Sequence, residues 1–359
     1  MLENEMISFT RGVPAPETFP VDQLIQCAEE VLHLDGQRIL QYGGAAGYLP
    51  LRQMIADEVH VSVDRVLVGQ GSLQLLDHTL RLLVKPGDRL FVEQPTYDRT
   101  LTLMRRTGAI VQPFNLTEGG VSIEQLEFEL LQGNRPLLFY LIPDFQNPTG
   151  NVMSLEKRQR LLELAEKYGF LVVEDAPYRK LRYKGKEIAS LFDLNQKRVM
   201  QLSSFSKLIS PGLRVGYAIL PTELASPLIK FAEDTYINIP YLNQAMVHHF
   251  IQKGWLDSHL LEIKNLYTTR LDCLLAGLEN AFSGKGKWIS TQGGFFVGFT
   301  ANESPGMDLL IRAAKDQNIQ LTNGCGFYVQ GGEDFIRLPF CALTPDQIKT
   351  GLNRLGQIL

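Results

Sequence analysis

The chain has 359 residues, 21% of them charged, and a formal net charge of −4. That length suits one large domain with a smaller appendage, and with no basic block nothing suggests a nucleic-acid-binding surface. No apolar run approaches the roughly twenty residues of a membrane span, and the acidic start Met1-Leu2-Glu3-Asn4-Glu5 is no signal peptide.

The four cysteines, Cys27, Cys273, Cys325 and Cys341, have neither metal-ligand spacing nor the density of a disulfide framework. They read as buried free thiols of a cytoplasmic protein. The six histidines, His248, His249 and His259 among them, have no evident carboxylate partners and read as structural or surface groups, so no metal is expected.

In chain order, a loop from Ser8 to Pro20 comes first, and Gly43-Gly44-Ala45-Ala46-Gly47 is a second, short loop. Arg65-Val66-Leu67-Val68 reads as a strand that runs into Gly69-Gln70-Gly71-Ser72 and a helix beginning near Leu73. Free N–H groups and the positive dipole end at such a helix start form a seat for phosphate. Apolar runs follow at Arg89–Glu93 and Ala109–Val111, and a third, Leu137–Ile142, leads into Asn147-Pro148-Thr149-Gly150. Leu171-Val172-Val173-Glu174-Asp175 is a buried-strand pattern ending in an acid, with Tyr178 three residues on. Arg198–Leu202 then delivers Ser203-Ser204-Phe205-Ser206-Lys207, with Arg214 seven residues later, and Gly216–Leu220 is a further apolar run.

Short apolar runs separated by helices indicate an α/β fold with a mostly parallel sheet covered on both faces. Each polar cluster lies at the carboxyl end of a strand, the edge where open parallel sheets bind ligands. Lys207, flanked by hydroxyls and a cation, has the parts to hold a phosphorylated aldehyde. Its amine forms a Schiff base with the carbonyl, while Ser204, Ser206 and Arg214 ligate the phosphate.

Beyond this region the pattern is helical from about Glu223 to Leu278, interrupted near Ile239-Pro240. Lys287–Ser290, Gly293–Phe299 and Phe335–Leu338 then read as strands, Asp308–Asp316 and Pro345–Ile358 as helices. The expected division is an N-terminal segment, 1–44, joining a small α+β domain, 253–359, with the large domain at 45–252.

The opening Ser8-Phe9-Thr10-Arg11-Gly12-Val13-Pro14-Ala15-Pro16-Glu17-Thr18-Phe19-Pro20, the stretch Gln41-Tyr42 through Gly47-Tyr48-Leu49-Pro50-Leu51-Arg52, and Tyr140–Gly150 together resemble a known family. It is the fold-type I, pyridoxal 5′-phosphate-dependent aminotransferases of class I/II, in the 2-aminoadipate/kynurenine/multi-substrate branch that also supplies effector domains of MocR-type regulators. The resemblance runs from Ile7 to the C-terminus. It implies transfer of an amino group from an L-α-amino acid to a 2-oxo acid, such as 2-oxoglutarate, by a ping-pong mechanism at Lys207.

The resemblance also implies residue roles. Asp175 pairs with the pyridine nitrogen, Tyr178 and Asn147 hydrogen-bond the phenolic oxygen, and Tyr97 stacks on the ring. Gly71, Ser72 and the backbone at Leu73 seat the phosphate; relatives often have Gln at position 73. Tyr42 reaches the phosphate of the neighbouring subunit in a homodimer, and Arg337 grips the α-carboxylate. Asn147, Gly12 and Arg11 face the substrate. Relatives usually have Gly-Gly where this chain has Arg11-Gly12, so Arg11 either meets an acidic substrate side chain or points to solvent. Loops at Tyr236–Tyr241 and Thr322–Tyr328 complete the expected pocket. Elimination, decarboxylation or oxidation on the same fold, and a non-catalytic sensor, are the alternatives.

Overall fold

The computed structural model describes residues 5–303 and 305–358, so most of the acidic stretch that opens the chain lies outside the described residues. At the centre is an eight-stranded sheet. Its spatial order is Val66–Gly69, Gly216–Ile219, Val199–Ser204, Leu171–Asp175, Leu138–Leu141, Arg89–Gln94, Ile110–Thr117 and Gly120–Val121. The five strands from Val199–Ser204 to Ile110–Thr117 run parallel. Gly216–Ile219 is antiparallel to both its neighbours, and Gly120–Val121 closes the far edge as a hairpin partner.

The unbroken apolar runs follow from burial on both faces. Along Leu138–Leu141, Phe139 and Leu141 enter one hydrophobic cluster while Leu138 and Tyr140 enter the other. Each fully buried large aliphatic side chain stabilises the fold by roughly 1.5–3 kcal/mol. Two of the connecting helices have ordinary starts, since Ser122 and Ser154 accept from the backbone N–H groups of Gln125 and Lys157. The helix Ser72–Leu83 does not. It begins at Gly71 with no side-chain cap, so its first-turn N–H groups stay available at the sheet edge.

The helical region comprises Thr222–Tyr236, Tyr241–Gln252 and Trp255–Phe282. Pro240 makes the expected break. Gly254, left-handed at φ +75°, makes a second one that the apolar periodicity runs straight across. A three-stranded antiparallel sheet of Gly286–Trp288, Phe296–Ala301 and Phe335–Pro339 lies in the C-terminal part. The strand Ile7–Phe9 pairs in parallel with Ile319–Leu321, tying the N-terminal loop to that part.

Three expectations are corrected. The strand expected from Gly293 begins only at Phe296, because Gly294 turns the chain at φ +73° and Gly293 bridges to Arg182. Cys27 and Cys341 are buried, but Cys273 and Cys325 are only half-buried. His249 does have a carboxylate partner: Glu30, 219 positions away, lies 2.5 Å from its Nε2 and also pairs with Lys253.

Candidate active site

The carboxyl ends of the strands deliver Gly71, Tyr97, Asn147, Asp175 and Lys207 to one side of the sheet, where they line a cavity of about 440 Å³. Ser72, Leu73, Tyr178, Ser204, Ser206, Arg214 and Arg337 line it too, as do Arg11 and Gly12. At its floor Asp175 is buried. Its Oδ2 accepts from the Tyr140 hydroxyl at 2.7 Å, and its Oδ1 has no protein partner. Burial raises the Asp175 pKa to about 6, against the pull of the Tyr140 bond.

Lys207 Nζ donates to the Gly12 carbonyl at 3.2 Å and lies 5.8 Å from the centre of the Phe295 ring. Burial first, and then the cations of Arg214 and Arg337, hold its amine below the ordinary lysine value, against an opposing pull from Cys341. Such an amine is a nucleophile nearer neutral pH.

One end of the cavity is built for an anion. Gly71 has φ +93°, and a Cβ there would sit 2.5 Å from Arg214 Nη2. Arg214 is itself left-handed (φ 53°) and donates to the Gln70 carbonyl at 2.7 Å. Ser204 and Ser206 share a hydrogen bond of 2.9 Å beside it. Gly216, on the reversed strand, allows that strand to press against the turn, since a Cβ there would lie 2.6 Å from Gly71 Cα and Ser72 N.

At the other end Arg337 is buried between the rings of Phe296 and Phe327, with its Cζ 4.7 and 4.6 Å from their centres. Its Nη1 donates to Asn147 Oδ1 at 3.0 Å and its Nη2 to the Thr10 carbonyl at 2.5 Å, while Nε is unpartnered.

The model of the family described as "Aminotransferase class I and II" matches residues 4–355. The chain belongs to the class I and II aminotransferases. It is 33% identical to a 2-aminoadipate transaminase of Thermus thermophilus over 99% of this chain and 90% of the relative. The crystal structure of an alpha-aminoadipate aminotransferase from Thermus thermophilus, complexed with N-(5'-phosphopyridoxyl)-L-leucine, superposes with a TM-score of 0.93. That pair shares 32% identity, covering 99% of this chain and 92% of the other. Pyrococcus horikoshii kynurenine aminotransferase gives 0.95 at 30% identity, covering 99% and 91%. This aminotransferase is therefore a pyridoxal 5′-phosphate enzyme of fold type I that moves amino groups.

The residues present fit that cofactor. The unpartnered Asp175 Oδ1 is an acceptor waiting for a cationic N–H, and Gly71 keeps open the concavity a phosphate needs. Among the residues given individual cofactor or substrate roles from the sequence of this aminotransferase, Tyr42 is the one that does not line the cavity; it is 77% exposed on the chain's surface. The Tyr236–Tyr241 loop does not line the cavity either. The Tyr236 ring instead stacks on His78, and the Tyr241 hydroxyl donates to the carbonyls of Gly44 and Gly47. From Thr322–Tyr328 only Thr322 reaches it.

Sequence reasoning missed Thr10, whose carbonyl holds Arg337, along with Asp98 and Arg99 at the mouth. It also missed Arg158. This residue has no exposed surface, pairs with Asp144 at 2.8 Å and donates to the carbonyls of Pro143, Met153 and Ala189. Arg158 thereby clamps the loop that carries Asn147. The signal available was Asp144 and Phe145 inside an otherwise apolar and turn-forming stretch.

Proposed function

We propose that this aminotransferase takes an L-α-amino acid and a 2-oxo acid in turn at one site, with Lys207 as the group that moves the proton. The observation that carries the reading is convergence. A partly desolvated lysine, an unpartnered carboxylate oxygen and a buried arginine face the same 440 Å³ cavity. Pyridoxal phosphate, when bound, supplies the electron sink that accepts the charge left on the substrate's α-carbon.

The chain's own residues do the rest. With the cofactor bound, Lys207 Nζ would be the amine that holds its aldehyde carbon and, when free, the general base placed to take the substrate's Cα proton. Asp175 would anchor the ring nitrogen, Tyr178 and Asn147 would orient the phenolic oxygen, and Tyr97 would pack on the ring. Gly71, Ser72, the Leu73 backbone, Ser204, Ser206 and Arg214 would hold the phosphate. Arg337 takes the α-carboxylate in its planar fork, so one site serves both the amino acid and the oxo acid.

Arg11 has no hydrogen-bond or ion-pair partner among the described residues and lines the mouth, so it receives an acidic substrate side chain, with 2-oxoglutarate as the acceptor. The exposure of Tyr42, and of Leu40 and Leu49 in the same part of the sequence, suits a homodimer in which Tyr42 reaches the partner's phosphate. Four free thiols suit a cytoplasmic enzyme.

Single-turnover spectrophotometry tests this reading. Glutamate or 2-aminoadipate, added without an oxo acid, should convert the bound cofactor stoichiometrically to its amine form. Lys207→Ala should abolish the conversion, and Arg11→Ala should raise KM for acidic but not aromatic amino acids. Undiminished turnover in Lys207→Ala would end the argument.

A further inference from the structure

Asp175 ends the strand Leu171–Asp175, and Tyr140 stands on the adjoining parallel strand, in register with Val173. The Tyr140 ring has no exposed surface and belongs to the same buried cluster as its register partners Val92 and Val173. Its hydroxyl points at the Asp175 carboxylate and donates to Oδ2 at 2.7 Å, leaving Oδ1 with no protein partner. We propose that Tyr140 is a positioning residue for the cofactor: its O–H locks the Asp175 carboxylate in one rotamer, with Oδ2 engaged and Oδ1 turned toward the ring nitrogen. This rests on the reading that Asp175 meets that nitrogen.

A second buried acid in the same sheet is held differently. Glu93, on the other side of the Tyr140 strand, is also fully buried. It accepts from the Ile142 N–H at 2.9 Å and from Gln146 Nε2 at 3.3 Å, bonds that hold its loop. Burial pushes the Glu93 pKa up to about 8, so it is neutral at pH 7. Burial raises the Asp175 pKa as well, and the phenol's hydrogen bond works against that rise by stabilising the anion. Of the buried acids on the strands flanking Tyr140, which are Glu93, Glu174 and Asp175, Asp175 is the one that takes the phenol's hydrogen bond. Stripped of that donor, the Asp175 carboxyl is free to rotate and to take up a proton, which removes the ion pair.

The test uses the holoenzymes of Tyr140→Phe, Asp175→Asn and the double variant. Tyr140→Phe keeps the ring packing. It should lower kcat by about tenfold to a hundredfold, the range for losing a hydrogen bond to a charged group, with little change in KM. Cofactor release during dialysis should quicken, and the ring-nitrogen resonance of ¹⁵N-labelled cofactor should move toward its unprotonated position. In the Asp175→Asn background, adding Tyr140→Phe should change none of these. A Tyr140→Phe enzyme with unaltered kcat, cofactor retention and ¹⁵N resonance, beside an impaired Asp175→Asn, overturns the proposal. An unimpaired Asp175→Asn overturns the underlying reading instead. If Tyr140→Phe does not fold, 3-fluorotyrosine placed at position 140 strengthens the donor at nearly constant shape. The ¹⁵N resonance should then move toward its protonated position, and an unmoved resonance refutes the role.

Discussion

Gly71→Ala separates the backbone of the anion seat from its side chains. Gly71 has φ 93° and ψ 158°, a region essentially closed to residues with a Cβ and costing about 1–3 kcal/mol to occupy. The new methyl would also stand 2.5 Å from Arg214 Nη2, so the guanidinium must swing away and give up its bond to the Gln70 carbonyl. That bond is solvent-exposed and adds at most about 1 kcal/mol to the folded chain. The larger effect falls on the ligand. A displaced Arg214 loses charge-assisted bonds to phosphate, about 1.5–3 kcal/mol, which weakens binding by roughly tenfold to a hundredfold. Titrating the cofactor-free protein with pyridoxal 5′-phosphate, followed by absorbance, reads the loss as a rise in Kd. Unphosphorylated pyridoxal should bind the variant and the parent alike, isolating the phosphate contribution. Equal Kd for the phosphorylated cofactor, with an unchanged melting temperature, would refute both the strain argument and the seat.

Arg158→Met leaves the buried Asp144 with Arg179 at 3.3 Å and Arg182 at 3.6 Å and strips three carbonyls of their donor. Its denaturant midpoint should fall by the equivalent of about 3–5 kcal/mol, and a near-neutral result would count against the clamp. Glu93→Gln should flatten the pH dependence of stability in the cofactor-free chain. The buried carboxyl, raised from 4.5 to about 8, holds an extra proton in the folded state between those values. Stability is therefore fully present below pH 4.5 and lost as pH rises through about 8. Melting temperatures of parent and variant measured from about pH 4 to 9 should show that slope reduced in the variant. Arg337→Lys keeps the charge but not the fork, and steady-state assays should show KM rising at least about tenfold for the amino acid and the oxo acid together. A rise for only one of them would mean separate carboxylate sites.

The cavity wall was legible because the chemistry sits where strands end, and strand ends are marked locally. Lys207, Asp175, Asn147 and Gly71 each follow an apolar run too short to be anything but a buried strand. Tyr140 was not legible as a polar contact, because it lies within such a run and acquires its partner only when two strands align in register. Arg158 looked like one more surface charge among Lys157 and Arg160 on the helix Leu155–Tyr168, although it is the helical position that turns inward. The Glu30–His249 pair joins helices whose positions relative to each other no short window contains. The break at Gly254 was hidden because the apolar pattern continues on both sides of it.

The contact of Gly216 with Gly71 and Ser72 divides the cavity into two kinds of material. The cofactor end is cast from main chain, with remote stretches of polypeptide meeting so closely that no side chain fits between them. The other end, by contrast, is lined by side chains such as Arg11 and Arg99, which the sheet does not need for its shape. On the proposed reading, exchanging those groups should retune which side chain is welcomed while the main-chain cradle behind them stays as it was.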